Sequence, residues 1–182
     1  ACPNVVSALD YSTDLDHPYM VLEYVPSTIL NLILGGMVNQ VVVRNMVKYM
    51  PYVLEALADN QVAHLDIQCQ NLGYANFALG EEIDFADPDA SLLVALDFGL
   101  ALPLSARVFP HDLDAERIPH LPPEFVNDCV FNATTDTHSM GKALEFALGM
   151  AYYKSTGDFA KVLEFIHGRA PPRSLLEMHA AM

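Results

Sequence analysis

Basic side chains are scarce in this chain of 182 residues: nine Lys plus Arg face 23 Asp plus Glu, for a net charge of −14. Such a balance repels phosphate backbones and anionic bilayers, which argues against nucleic acid and membrane surfaces as partners. A single nucleotide stays compatible, because bound cations can override the global charge at one site. Cysteine is also sparse. Cys2, Cys69 and Cys129 are too scattered for a disulfide framework and lack zinc-ligand spacing, so they read as reduced thiols of an intracellular protein. Long apolar runs are missing too. The uncharged stretch 24–43 is interrupted by Pro26, Asn31, Gly35, Gly36, Asn39 and Gln40, short of the roughly 18 consecutive apolar residues that a membrane span needs. It reads as a buried turn and helix. No secretory signal, internal repeat or low-complexity tract is visible, and the start at Ala1 fits a processed or cropped piece.

What is present is a core. Hydrophobic residues make up 52% and charged ones 18%, enough for one ordinary domain. Residues 4–8 and 19–25 read as paired strands around a polar turn at 10–17. After Pro26, Ser27 or Thr28 is placed to cap a short apolar helix. Apolar positions 42, 43, 46, 47, 50, 53, 54 and 57 have the spacing of a one-sided helix over 41–60, in which Pro51 predicts a kink or break. Strands are expected at 72–77 and 92–98, joined by an acidic excursion whose 81–89 segment lacks calcium-loop spacing. A proline-rich segment at 99–125 follows, of a length that is usually functional. A buried helix is expected at 136–153 with Asp136 as its cap, then shorter helices at about 158–167 and 173–182. The class is α+β with a mostly helical body.

Residues 64–71 read "HLDIQCQN". Alone, this octapeptide is equally well a polar turn, since Asp and Asn satisfy nearby backbone groups. Two further stretches change its meaning. "DFG" begins at Asp97, 26 residues after Asn71, and "PPE" begins at Pro122, 25 residues after Asp97. The order and spacing of H-x-D-x-x-x-x-N, D-F-G and P-P-E are those of the protein-kinase signature set. The chain therefore resembles the protein kinase family along nearly its whole length.

The resemblance implies roles residue by residue. Residues 1–25 would be a remnant of the small-lobe strands and hinge, with Leu22 at the gatekeeper place and Glu23 and Val25 at backbone positions that meet adenine. Residues 26–182 would be the large lobe, incomplete at its C-terminal end. Asp66 would accept the hydroxyl proton, Asn71 and Asp97 would hold magnesium, and Phe98, Gly99 and Gly73 would border the ATP site. His64, packed under Phe98, would be structural, as would Glu124 and Asp136, the latter bracing the catalytic loop. His120, His111 and His138 lack ligand spacing, Cys69 reads as a packing thiol, and the sequon at Asn132 is a chance match in an intracellular fold. The implied partners are a nucleotide and a protein substrate or protein partner, in the cytoplasm or nucleus.

The chain also departs from the family. It has no glycine-rich loop, and no Lys or Arg precedes Arg44, so the phosphate clamp has no counterpart. Leu65 replaces the Arg that reads a phosphorylated activation segment, and Ser105 is the only hydroxyl residue between Gly99 and Glu124. Gln68 replaces the Ser/Thr-kinase Lys, and Arg117 stands at its partner Thr, where it is a conjectural substitute cation. Gly73 replaces a large residue beneath adenine, and the usual Arg partner of Glu124 falls past Met182. Two readings follow: a kinase large lobe whose small lobe lies in sequence outside this chain, or a truncated pseudokinase serving as a protein-binding module. A metal-dependent hydrolase using Asp66 and Asp97 would leave the hinge-like and central-helix stretches unexplained.

Overall fold

The structure, a computed structural model, describes residues 3–75, 92–106, 120–128 and 130–157. The acidic segment 81–89, Arg117, His111, Cys2, Cys129 and the two expected C-terminal helices lie outside those residues. Two antiparallel strands open the chain, β1 (Ala8–Ser12) and β2 (Tyr19–Leu22), with Tyr11 opposite Met20 and a register shift between Ala8 and Asp10. This ribbon starts later than the expected 4–8 strand. The earlier residues are taken by another partner: Val6 N–H donates to Ala95 O and Ala95 N–H to Asn4 O, each at 3.0 Å. Backbone groups of 4–6 thus serve the strand that holds Ala95, and the ribbon forms from the residues left over.

A small antiparallel sheet follows, made of β3 (Ser27–Thr28), β5 (Leu72–Ala75) and β6 (Leu92–Ala95) in the order β3-β5-β6. Of the two candidate caps for the first helix, α1 (Ile29–Leu34), Thr28 is the one used. Its hydroxyl accepts from the Asn31 amide, and Asn31 reaches back to the Thr28 N–H, a reciprocal pairing that satisfies two free amides. The second helix, α2 (Gln40–Asp59), is capped by Asn39 and continues unbroken past Pro51. The sequence predicts a kink or break there. The helix continues because Met46, Tyr49 and Met50 before the proline and Val53, Ala56 and Leu57 after it are all buried on one face, and that burial outweighs one lost hydrogen bond.

Strand β4 (Val62–Ala63) pairs with β7 (Leu102–Pro103), and helix α3 (Pro123–Asp128) stands in the proline-rich segment that reads as irregular. Proline at a first helical position is favourable, since its missing N–H is one that the helix would leave unpaired. The last described helix, α4 (Ala133–Thr156), begins earlier than expected. Asn132, not Asp136, is its cap, and Gly157 closes it in left-handed backbone with φ of 70°. The sequon asparagine is thus spent on the helix start.

Helices α2 and α4 pack on each other and on the sheet around a core that includes Ile29, Leu32, Met46, Val53, Leu72, Tyr74, Leu93 and Ala147. A second, smaller cluster joins Ala63, Leu65, Leu121 and Phe125. It fastens the 64–71 loop to α3. The fold is α+β, with two hydrophobic centres meeting at that loop.

Candidate active site

The loop between β4 and β5 is held from below. The carboxylate of Asp136, buried in the first turn of α4, accepts the His64 N–H at 2.7 Å and the Leu65 N–H at 2.9 Å. Its place one turn into the helix, rather than at the cap, puts both oxygens within reach of the loop. Burial raises this carboxyl above the usual carboxylate range, an effect that the two amide bonds partly offset. Between these anchors and Asp66, Leu65 adopts left-handed backbone with φ of 65°. That conformation costs a non-glycine residue on the order of 1–3 kcal/mol. It persists because the amide is fixed by Asp136 and the side chain, 1% exposed, is fixed in the second cluster.

His64 forms the floor. Its Nδ1 accepts from the Asp66 N–H at 3.3 Å, and its Nε2 lies 2.9 Å from Leu96 O. That pair of contacts selects the neutral tautomer with the proton on Nε2. The ring packs on Phe98 at a tilt of 51°, with centroids 4.5 Å apart. The loop is thereby bound to the stretch that carries Asp97.

Above this floor Asp66 and Asn71 meet. Asn71 Nδ2 donates to Asp66 Oδ2 at 2.6 Å and to Asp66 O at 2.9 Å, while Gln68 Nε2 donates to Asp66 Oδ1 at 2.8 Å. With its nitrogen spent on Asp66, the Asn71 amide has its carbonyl oxygen as its acceptor end. Leu96 N–H donates to Asn71 O at 2.9 Å, extending the β5–β6 ladder by one residue and setting Asp97 just past it. Asp97 is exposed, has φ of 57°, and accepts the Gly99 amide on Oδ1 at 3.1 Å. A short acidic side chain tolerates that left-handed backbone better than most. A carboxylate and an amide oxygen on adjoining loops are a hard donor set that suits magnesium.

The other expected residues fall into place unevenly. Leu22 is 42% exposed at the end of β2. The Glu23 amide already donates to Ser7 O at 2.9 Å. Val25 packs on Gly73 so closely that a Cβ at 73 would meet Val25 Cγ1 at 2.6 Å. Glu124 is exposed in the first turn of α3. Cys69 is buried, gives its thiol to Ala143 O at 3.4 Å, and is pushed up to about 12 by burial. His120, which ligand spacing alone passes over, is the residue that sequence reasoning misses. It is buried, and its Nε2 lies 3.2 Å from Asp66 Oδ1. Its position two residues before the "PPE" stretch is the one signal in the sequence that could have flagged it.

Comparison with known proteins bears on the family and the fold. Residues 1–168 match the protein kinase domain. The serine/threonine-protein kinase atg1 of Neosartorya fischeri is 25% identical over 195 residues, covering 85% of this chain and 20% of the relative. The protein of the same description from Aspergillus oryzae is 24% identical, covering 85% and 21%. The chain thus spans about one fifth of the length of these relatives. Among solved structures, a chain of the yeast RNA Pol II CTD kinase CTDK-1 complex superimposes with a TM-score of 0.61 at 21% identity, over 81% of this chain and 45% of that one. A braced H-x-D-x-x-x-x-N loop, an adjoining DFG stretch and a match over residues 1–168 lead to one family: the chain belongs to the protein kinases.

Proposed function

We propose that this chain carries the large-lobe half of an ATP- and magnesium-dependent phosphoryl-transfer site acting on a protein hydroxyl, completed by a small lobe from sequence outside it. The observation that supports this most directly is the Asp66–Asn71 contact of 2.6 Å on a loop clamped by Asp136. It joins a general base and a metal ligand in one fixed unit. In this reading Asp66 orients the acceptor hydroxyl and takes its proton. Asn71 and Asp97 hold magnesium, which supplies charge neutralisation at the phosphates when bound. Phe98 and Gly99 shape the wall behind Asp97, and Val25 against Gly73 closes the adenine side.

Residues 1–25 would then belong with the small lobe and hinge. Leu9, Tyr11, Met20, Val21 and Leu22 of the β1–β2 ribbon are all exposed, leaving apolar side chains on both sides of the ribbon, of the kind that pack against further protein. The same ribbon also suits the alternative of a protein-binding module in which the ligands are unused. Among the described residues, no helix is long and apolar enough to cross a membrane.

A thermal-shift titration with ATP and magnesium separates the two. A working site raises the melting temperature by mass action, by about 2.7 kcal/mol of stability at a hundredfold excess over Kd, and Asp97→Asn abolishes the rise. No shift, or an equal shift in Asp97→Asn, sinks the phosphoryl-transfer reading.

A further inference from the structure

His120 lies in the proline-rich segment three residues before α3, 54 positions from Asp66, yet its ring reaches the loop. The residue is 9% exposed. Its backbone is tied to the same helix that carries Asp136, because the Ser139 hydroxyl donates to His120 O at 2.9 Å. Its Nε2 comes within 3.2 Å of Asp66 Oδ1 and makes no well-aligned hydrogen bond. A buried imidazole nitrogen left in that state is costly. Here it is retained at one atom of the loop, the oxygen that already accepts from Gln68.

Resting on the phosphoryl-transfer reading, we propose that His120 is a positioning residue for Asp66, closing its Nε2–H onto Oδ1 when the acceptor hydroxyl docks. A carboxylate offers about four lone-pair sites. Asn71 takes one on Oδ2, and Gln68 and His120 take two on Oδ1. One site on Oδ2 is left for the proton of the acceptor. Gln68 stands where the family's usual cation would be and gives Oδ1 one neutral donor, and a histidine arriving from 54 positions away supplies the second. It acts through Asp66 and touches no nucleotide atom.

The test combines kinetics with a readout independent of turnover. With the full-length protein, ATP, magnesium and dephosphorylated casein as acceptor, His120→Ala lowers kcat about tenfold, the worth of one hydrogen bond to a charged group. KM for ATP stays within about twofold, and His120→Gln, which keeps an N–H at similar reach, recovers most of the loss. In parallel, long-range proton–nitrogen NMR follows the His120 ring in the wild type and in Asp66→Asn. A change at Nε2 supports the contact. Unchanged kcat in His120→Ala, a glutamine variant no better than alanine, or an Nε2 signal indifferent to Asp66→Asn each overturns the proposal. If the wild type transfers no phosphate, the phosphoryl-transfer reading fails and the Nε2 signal alone decides whether His120 holds Asp66.

Discussion

Asp136 and Leu65 are 71 positions apart, yet the carboxylate of one receives the amide of the other at 2.9 Å and holds it in left-handed backbone. The same carboxylate takes the His64 amide. Removing it in Asp136→Ala leaves two buried amides without an acceptor, for an expected loss of about 2–4 kcal/mol by denaturant unfolding. A loss under about 1 kcal/mol would show that the brace is dispensable.

The pH dependence of that brace has a definite sign. Burial raises the Asp136 carboxyl in the folded state, so across that window the folded chain binds more protons than the unfolded one. Stability contributed by this group is therefore highest on the acid side and falls as pH rises through its raised folded value. The advantage of wild type over Asp136→Asn should shrink on going from acid to neutral pH. A gap that widens with pH would contradict the assignment of burial as the dominant cause.

Leu65 inverts the usual order of glycine and alanine. Both substitutions lose the packing against Leu121 and Phe125, but glycine also relieves the φ of 65°. Leu65→Gly should thus be more stable than Leu65→Ala by about 1 kcal/mol. Leu65→Arg, which restores the family's usual residue, should cost roughly 2–4 kcal/mol because a guanidinium enters an apolar cluster. Chemical denaturation of the three variants checks both statements, and a glycine variant weaker than alanine would refute the strain argument.

Gly73 is expected to resist even a methyl group. A Cβ there meets Val25 Cγ1 at 2.6 Å and Ser27 O at 3.1 Å, and the second is backbone that cannot step aside. Gly73→Ala should cost about 1–3 kcal/mol. The penalty should be smaller in a Val25→Ala background, a coupling that a double-mutant cycle measures directly. Strict additivity would mean that the contact is not the cause.

Cys69 lies three residues after Asp66, close enough in sequence to be mistaken for a reactive group. Its thiol is pushed up to about 12 by burial, so at pH 8 the native protein carries almost no thiolate there. Iodoacetamide should leave it unmodified in the native state and label it in urea, as read by mass spectrometry of the peptide that contains it. Native labelling at the denatured rate would falsify the burial argument.

Two short motifs already name the residues that the structure gathers around the 64–71 loop, Asp66 with Asn71 and Asp97 with Gly99, whereas Glu124 of the third stands exposed on α3. The class was legible too, from the period of α2 and the strands flanking the loop. Other features were not. Asp136 reads as a cap from its place before an apolar helix, but the helix begins three residues earlier, where Asn132 and Thr135 complete a reciprocal pair. Pro51 reads as a break, yet the helix passes through it because the faces on both sides are buried together. Gly73 reads as a deficient pocket floor, whereas the approach of Val25 and Ser27 leaves no room for anything larger.

The sequence by itself determined which chemistry this loop can attempt. An oxygen base, an amide and a second carboxylate keep their identity and order whatever surrounds them. Only the tertiary structure decided how the loop is held once its usual arginine and lysine are missing. Leu65 turns inward to a hydrophobic cluster, Gln68 turns onto Asp66, and His120 arrives from 54 positions away. Those contacts depend on where α3 and α4 pack, and no local pattern in the chain encodes a distance between residues so far apart.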